Sequence, residues 1–174
     1  SNSVVESDHY GTPDYILDAA RRVGPIGLDP ADRPGSLVRA RVSLQRERGA
    51  DGLSAAWSPL LSNGEIVWLQ PPYSQGNLPL WVPKAGAESR VLRPDSAIVA
   101  MLPVNTAPRW FQGEPDSICS TARSICFLGS RVPHHLPSGE LVKGTRHDSM
   151  VVYWGCDPLR FKSALAGLGK VVDL

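Results

Sequence analysis

Apolar positions along the chain fall into short runs separated by Pro- and Gly-rich stretches. Ile16, Leu17, Ala20 and Val23 recur at helical spacing. Thr12 is placed to cap that helix, Pro13 suits its first position, Asp14 suits its positive end, and Gly24-Pro25 stops it. Ile26-Gly27-Leu28 is a brief apolar run closing on Asp29-Pro30-Ala31-Asp32, and residues 33–50 read mainly as loop with one short element at most. Leu53, Ala56 and Trp57 suggest a helical patch broken at Ser58-Pro59. Ile66-Val67-Trp68-Leu69 has strand length and composition, and it must stop at Gln70 because Pro71 and Pro72 cannot donate to a ladder. Residues 78–92 predict a helix that begins or kinks at Pro83. Ala97 to Leu102 is wholly apolar and predicts a buried parallel strand. Ile118 to Leu128 offers one or two strands, Arg131 to Thr145 a loop, and Ser149 to Trp154 another buried strand. A last helix opens at Pro158 with Leu159, Phe161, Leu165 and Leu168 on its apolar side, ends at Gly169, and is followed by an edge strand at Val171-Val172.

Helices alternating with apolar strands predict an α/β fold, a mostly parallel sheet with helices on both faces. The length of 174 residues suits one domain over residues 10–174, behind a flexible N-terminal tail at residues 1–9. No apolar run reaches membrane-spanning length, and no signal peptide is expected, so neither is a membrane partner. Cys119, Cys126 and Cys156 are odd in number and form no CxxC, which predicts reduced cytosolic thiols and no metal site. The formal net charge of +1 gives no global signal for nucleic acid, but it is unevenly spread. Residues 1–18 hold Glu6, Asp8, Asp14 and Asp18 with no Lys or Arg, whereas residues 33–48 hold Arg33, Arg39, Arg41, Arg46 and Arg48 against Glu47 alone. Such a basic stretch can meet phosphates or form a solvated face.

Candidate chemistry sits where strands end. The proline pair fixes the backbone after Gln70, which holds an amide and the Tyr73 ring rigidly at a carboxyl edge, where open α/β sheets bind ligands. An amide oxygen accepts from an exocyclic amine, and a flat ring stacks on the plane that carries it. Asp29 before Pro30 forms a second corner of the same kind, which an ordinary Asp-Pro turn would also explain. His134, His135 and His147 show no ligand spacing and read as solvated loop residues. Ser74 and Ser149 lack a nucleophile frame, and no GxGxxG or Walker loop is present. The five Trp residues read as core and pocket walls, and Arg109, Arg123, Arg131, Lys143 and Arg146 are available to phosphates.

Thr12-Pro13, Leu28-Asp29-Pro30-Ala31-Asp32, Asp51-Gly52-Leu53 with Trp57, Pro71-Pro72-Tyr73-Ser74, Trp81 with Lys84-Ala85, Leu102-Pro103, then Gly129 and Arg131 form an ordered series. In order and spacing it resembles the phage-encoded DNA N6-adenine methyltransferases of the Dam-like family, over about Tyr10 to Trp154. The resemblance implies a single-domain Rossmann-like fold that uses S-adenosylmethionine. It implies cofactor contacts at Thr12, Pro13, Asp29, Pro30, Ala31 and Asp51. It implies a catalytic corner at Gln70, Pro71, Pro72 and Tyr73, double-stranded DNA as partner, a target adenine flipped from the duplex, and the cytoplasm of a bacterial host as location. Two positions depart from the family pattern. Asn, or Asp or Ser in related enzymes, precedes Pro-Pro-Tyr there, and Gln70 stands here; a Cys commonly follows the first Asp-Pro, and Ala31 stands here. Gln70 leaves open an inactive protein that still binds cofactor or DNA, and methylation of a protein glutamine.

Overall fold

The computed structural model describes residues 11–45, 49, 51–74, 76–142 and 147–174. The expected tail at residues 1–9, and Arg46, Arg48, Lys143 and Arg146, lie outside them.

Nine strands and five helices follow in the order α1 (Asp14–Val23), β1 (Ile26–Asp29), β2 (Val42–Ser43), β3 (Ile66–Leu69), α2 (Leu78–Ser89), β4 (Ala97–Pro103), α3 (Arg109–Gln112), α4 (Ile118–Thr121), β5 (Ser124–Leu128), β6 (His134–His135), β7 (Leu141–Val142), β8 (Ser149–Trp154), α5 (Pro158–Leu165) and β9 (Gly169–Asp173) among the described residues. Seven strands form one sheet in the order β2-β1-β3-β4-β8-β5-β9. Five of them point the same way, so the sheet is mostly parallel by strand direction. The reversed strands β8 and β9 make the β4–β8, β8–β5 and β5–β9 pairs antiparallel. β4 is therefore parallel to its neighbour on one side only, a correction to the expectation for Ala97–Leu102.

Side chains on a strand alternate between faces, and here both faces are apolar. Ala97, Val99 and Met101 of β4 join Trp68, Val151 and Tyr153 in a core covered by α1 and α5. Ile98, Ala100 and Leu102 join Leu69, Val152 and Trp154 in a second core under α2, α3 and α4. Tyr153 stacks on Phe161 at 4.8 Å between ring centroids, which seats α5 on β8. Each large apolar side chain buried in this way contributes about 1.5–3 kcal/mol. All five Trp residues are buried, as core and pocket walls should be.

Several local expectations change. The Thr12 side chain does not cap α1; the N-cap is Pro13, and no side-chain cap bond forms there. α2 runs through Pro83, which lies inside the helix. The cost of a missing backbone donor is offset there by burying Trp81, Val82 and Ala85. Residues 118–121 are helical because Ser117 caps them, its side chain accepting from the Ser120 N–H. Pro59 lies within a single 3-10 turn at Ser58–Leu60. The stretch after Arg131 is not plain loop: β6 and β7 pair antiparallel. α5 ends at Leu165, and Gly169 opens β9 instead. Leu159 points outward and is exposed.

Candidate functional site

The chain leaves β1 for β2 on one side and returns for β3 on the other, so the strand order reverses between β1 and β3. Ligands of open α/β sheets bind in the crevice outside the carboxyl ends at such a reversal. Asp29 ends β1, and Gln70 follows the last residue of β3. Between them lies a narrow crevice of about 10 Å³, lined by Thr12, Asp29, Ala31, Arg33, Trp68 and Gln70 among others.

Gln70 is held from three directions. The Thr12 hydroxyl donates to its Oε1 and an Arg33 Nη2 donates to its main-chain oxygen. Its side chain also reaches the Tyr73 phenol. The phenol in turn donates to the Met101 carbonyl of β4 at 2.5 Å. Burial pushes that phenol well above its ordinary pKa, against the Arg33 cation and the Gln70 bond. The His147 ring meets the Tyr73 ring edge-on at 6.2 Å.

Asp29 is buried with sparse support. Its Oδ1 accepts from the Ala31 N–H at 3.2 Å, and Asp32 crowds it. Burial, then Asp32, push the Asp29 carboxyl up to about 8, with Arg33 pulling the other way. The loop after it is tied down by Leu44 N–H donating to the Asp29 carbonyl at 2.9 Å and by Gln45 Nε2 donating to Asp32 at 2.7 Å. Arg21 of α1 holds the far wall, donating to the carbonyls of Leu37 and Val38.

Four of the expected residues therefore share one crevice: Thr12, Asp29, Ala31 and Gln70. Pro13 adjoins it as the start of α1. Pro71 is buried and Pro72 half-buried behind Gln70. Asp51 does not line the crevice; it is exposed, and its carboxylate accepts from its own turn at the Leu53 N–H. That turn still abuts the residue that follows β1, since a Cβ at Gly52 would lie 1.9 Å from the Pro30 oxygen.

The histidines correct the expectation of solvated loop residues. His134 and His135 are buried. His135 exchanges backbone hydrogen bonds with Gly11, and its ring packs where any side chain at residue 11 would stand. Burial pulls the His134 imidazole down to about 4, with the Arg33, His135 and His147 charges adding to it. His147 is exposed, as expected. The basic stretch is partly consumed inside the fold, with Arg33 buried at the crevice and Arg41 paired to Glu65 at 2.7 Å.

Arg33 and Trp68 are the site residues that motif reading misses. Trp68 was legible, because it precedes Gln70 by two at the end of β3 and lines the same crevice. Arg33 carried no local signal, since its partner lies 37 residues away. Among the described residues no group of three or more His, Cys, Asp or Glu is placed to hold a metal, and no helix is long and apolar enough to cross a membrane. The three cysteines are free. No protein-family model matches the chain, and no curated protein matches it in sequence.

Proposed function

We propose that this chain has a Rossmann-like methyltransferase fold and transfers a methyl group from S-adenosylmethionine to the exocyclic amine of adenine in DNA. One observation carries the reading. Thr12, Asp29 and Gln70, drawn from three separate stretches, converge on one crevice at the reversal of strand order. A buried acid beside a buried cation, with an unsatisfied indole donor, suits a ligand carrying both charges.

When bound, the cofactor supplies an electrophilic sulfonium methyl. The protein's task is then placement. The Gln70 amide oxygen and the Pro71 carbonyl accept the two amine hydrogens, which aims the nitrogen lone pair. The Tyr73 ring stacks on the base, which must leave the duplex to arrive there. Gln70 first has to release Thr12.

The test is tritiated S-adenosylmethionine with unmethylated duplex DNA. Label in the DNA is expected, with a loss of about 100-fold or more in Gln70→Ala, since misplacing a reacting group by about 1 Å costs that much. No label with any duplex sequence would overturn methyl transfer to DNA. The Thr12–Gln70 contact favours a second reading, a silent protein that binds cofactor or DNA. Cofactor binding without turnover, with turnover appearing in Gln70→Asn, would identify it. Label in protein but not DNA would identify a glutamine methyltransferase.

A further inference from the structure

A second cavity, of about 140 Å³, opens at the other end of the sheet. It is lined by Ser89 at the end of α2, Arg93, Ser96 just before β4, Thr121 of α4, and Trp154 and Cys156 at the end of β8, among others. Leu69 pairs with Ala100, so Gln70 stands level with Met101, and five strand steps of about 3.3 Å put Ser96 about 17 Å from that level. A cavity of this size has room for several waters or for one small ligand group. Ser96 and Trp154 are buried and form its floor; Arg93 and Cys156 are exposed and form its rim. Most of its polar groups are already in use. Thr121 Oγ1 accepts from Trp154 Nε1 at 2.8 Å and donates to the Ser117 carbonyl at 2.7 Å, and the Ser89 hydroxyl donates to the Gly86 carbonyl at 2.6 Å. The Ser96 hydroxyl differs. Ser96 is 4 % exposed, and its Oγ meets no partner among the described residues. Native proteins rarely leave a buried hydroxyl unserved unless water or a ligand meets it.

Charge says which ligand. Arg93 is the only charged side chain among the described lining residues. Its Nη2 donates to the Leu61 carbonyl at 2.9 Å, and its Nε lies 3.7 Å from Asp95 in an exposed pair of small worth. Asp95 also accepts from the Gly64 N–H at 2.9 Å and does not line the cavity. A guanidinium carries five N–H donors, so Arg93 keeps donors to spare. A cation and an unspent hydroxyl, with no acid in the lining, complement negatively charged oxygen. We propose that this cavity binds a small oxyanion, the phosphate or carboxylate group of a small molecule, whose oxygens accept from Ser96 Oγ at the floor and from Arg93 at the rim. The Cys156 thiol stands at the mouth and is covered when the ion enters. The site is separate from the crevice between β1 and β3 and stands whether or not the chain transfers methyl groups.

The test reads the alkylation rate of Cys156 by iodoacetamide in the full chain, resolved by peptide mass spectrometry, with the exposed Cys119 as internal reference. Inorganic phosphate and acetate are each compared with sodium chloride at equal ionic strength. Phosphate is expected to slow Cys156 several-fold and to leave Cys119 unchanged. Slowing by phosphate alone supports a phosphate-bearing ligand, and slowing by acetate supports a carboxylate-bearing one. Ser96→Ala and Arg93→Gln are each expected to weaken this protection about 10-fold or more, the worth of a hydrogen bond to a charged group. Without anion, Ser96→Ala is expected to keep the parent's Tm, because no bond within the protein is lost, and it should lack the rise in Tm that phosphate gives the parent. A Cys156 rate unmoved by both anions, a slowing shared by Cys119, or protection that survives Arg93→Gln would each overturn the proposal. So would a lowered Tm of Ser96→Ala without anion, since the hydroxyl would then be spent inside the fold.

Discussion

Two buried acids mark opposite edges of the β1–β3 pair, and they have opposite characters. Glu65, just before β3, accepts from Arg41 Nε at 3.0 Å, from Arg41 Nη2 at 2.7 Å and from the Ser62 N–H at 2.6 Å. Those donors hold its carboxyl down to about 2 in spite of burial. Asp29, at the carboxyl end of β1, has one backbone donor at 3.2 Å and a second acid nearby, and it is pushed up to about 8. Asp29 is the more deeply buried and has few donors, so burial dominates there; Glu65 lies nearer the surface, and its donors outweigh the burial it has. One acid is stitched into the frame by several donors; the other is left with one backbone donor beside a second acid.

The contrast breaks most visibly at Glu65. Glu65→Gln is expected to lower Tm at pH 7 by about 3–6 °C, because hydrogen bonds to a charged group are lost, moderated by the exposure of Arg41. That loss should shrink as pH falls from about 4 towards 2, since the depressed carboxyl contributes only while ionised. Thermal melts across pH check both parts.

Asp29→Asn should act with the opposite sign. A raised carboxyl binds its proton more tightly in the folded chain, so folded stability falls as pH rises from about 4 to about 8. The amide removes that decline. Tm is expected to exceed the parent's by several °C at pH 8.5 and to match it near pH 3.5, below both the folded and the unfolded titration. Equal melting at both pH values would show that Asp29 titrates normally.

The smallest effect is the coupling between the two. Four residues of strand separate the edges by about 13 Å. Glu65→Gln with Asp29→Asn should therefore add to within about 0.5 kcal/mol in denaturant unfolding. A larger coupling would mean that the two edges share a network through β1 or β3.

Much of the frame was legible in the letters. Ala97–Leu102 of β4 and Met150–Trp154 of β8 are apolar on both alternating faces, the pattern of a strand covered on both sides. Gln70 was placed at a strand end by two prolines, and Asp29 by one, because proline limits the ladder locally. What escaped depends on partners distant in sequence. Thr12 looks like a cap until Gln70, 58 residues on, takes its hydroxyl. Arg33 and Arg41 look alike until one meets the Gln70 carbonyl and the other Glu65. His134 and His135 look like loop residues until Gly11 supplies the backbone for His135 to pair with. Asp51 carries a family-like spacing, yet the structure spends its carboxylate on its own turn.

The reversal of β8 has one more consequence. A strand running with its neighbours would begin at the far edge of the sheet, but β8 begins beside Pro103, where β4 ends. The residues that lead into β8 thereby meet the carboxyl ends of the parallel strands, and His147 arrives next to Tyr73. Among the described residues of this connection, β6 and β7 stand as a separate two-stranded sheet and take no rung of the seven-stranded ladder.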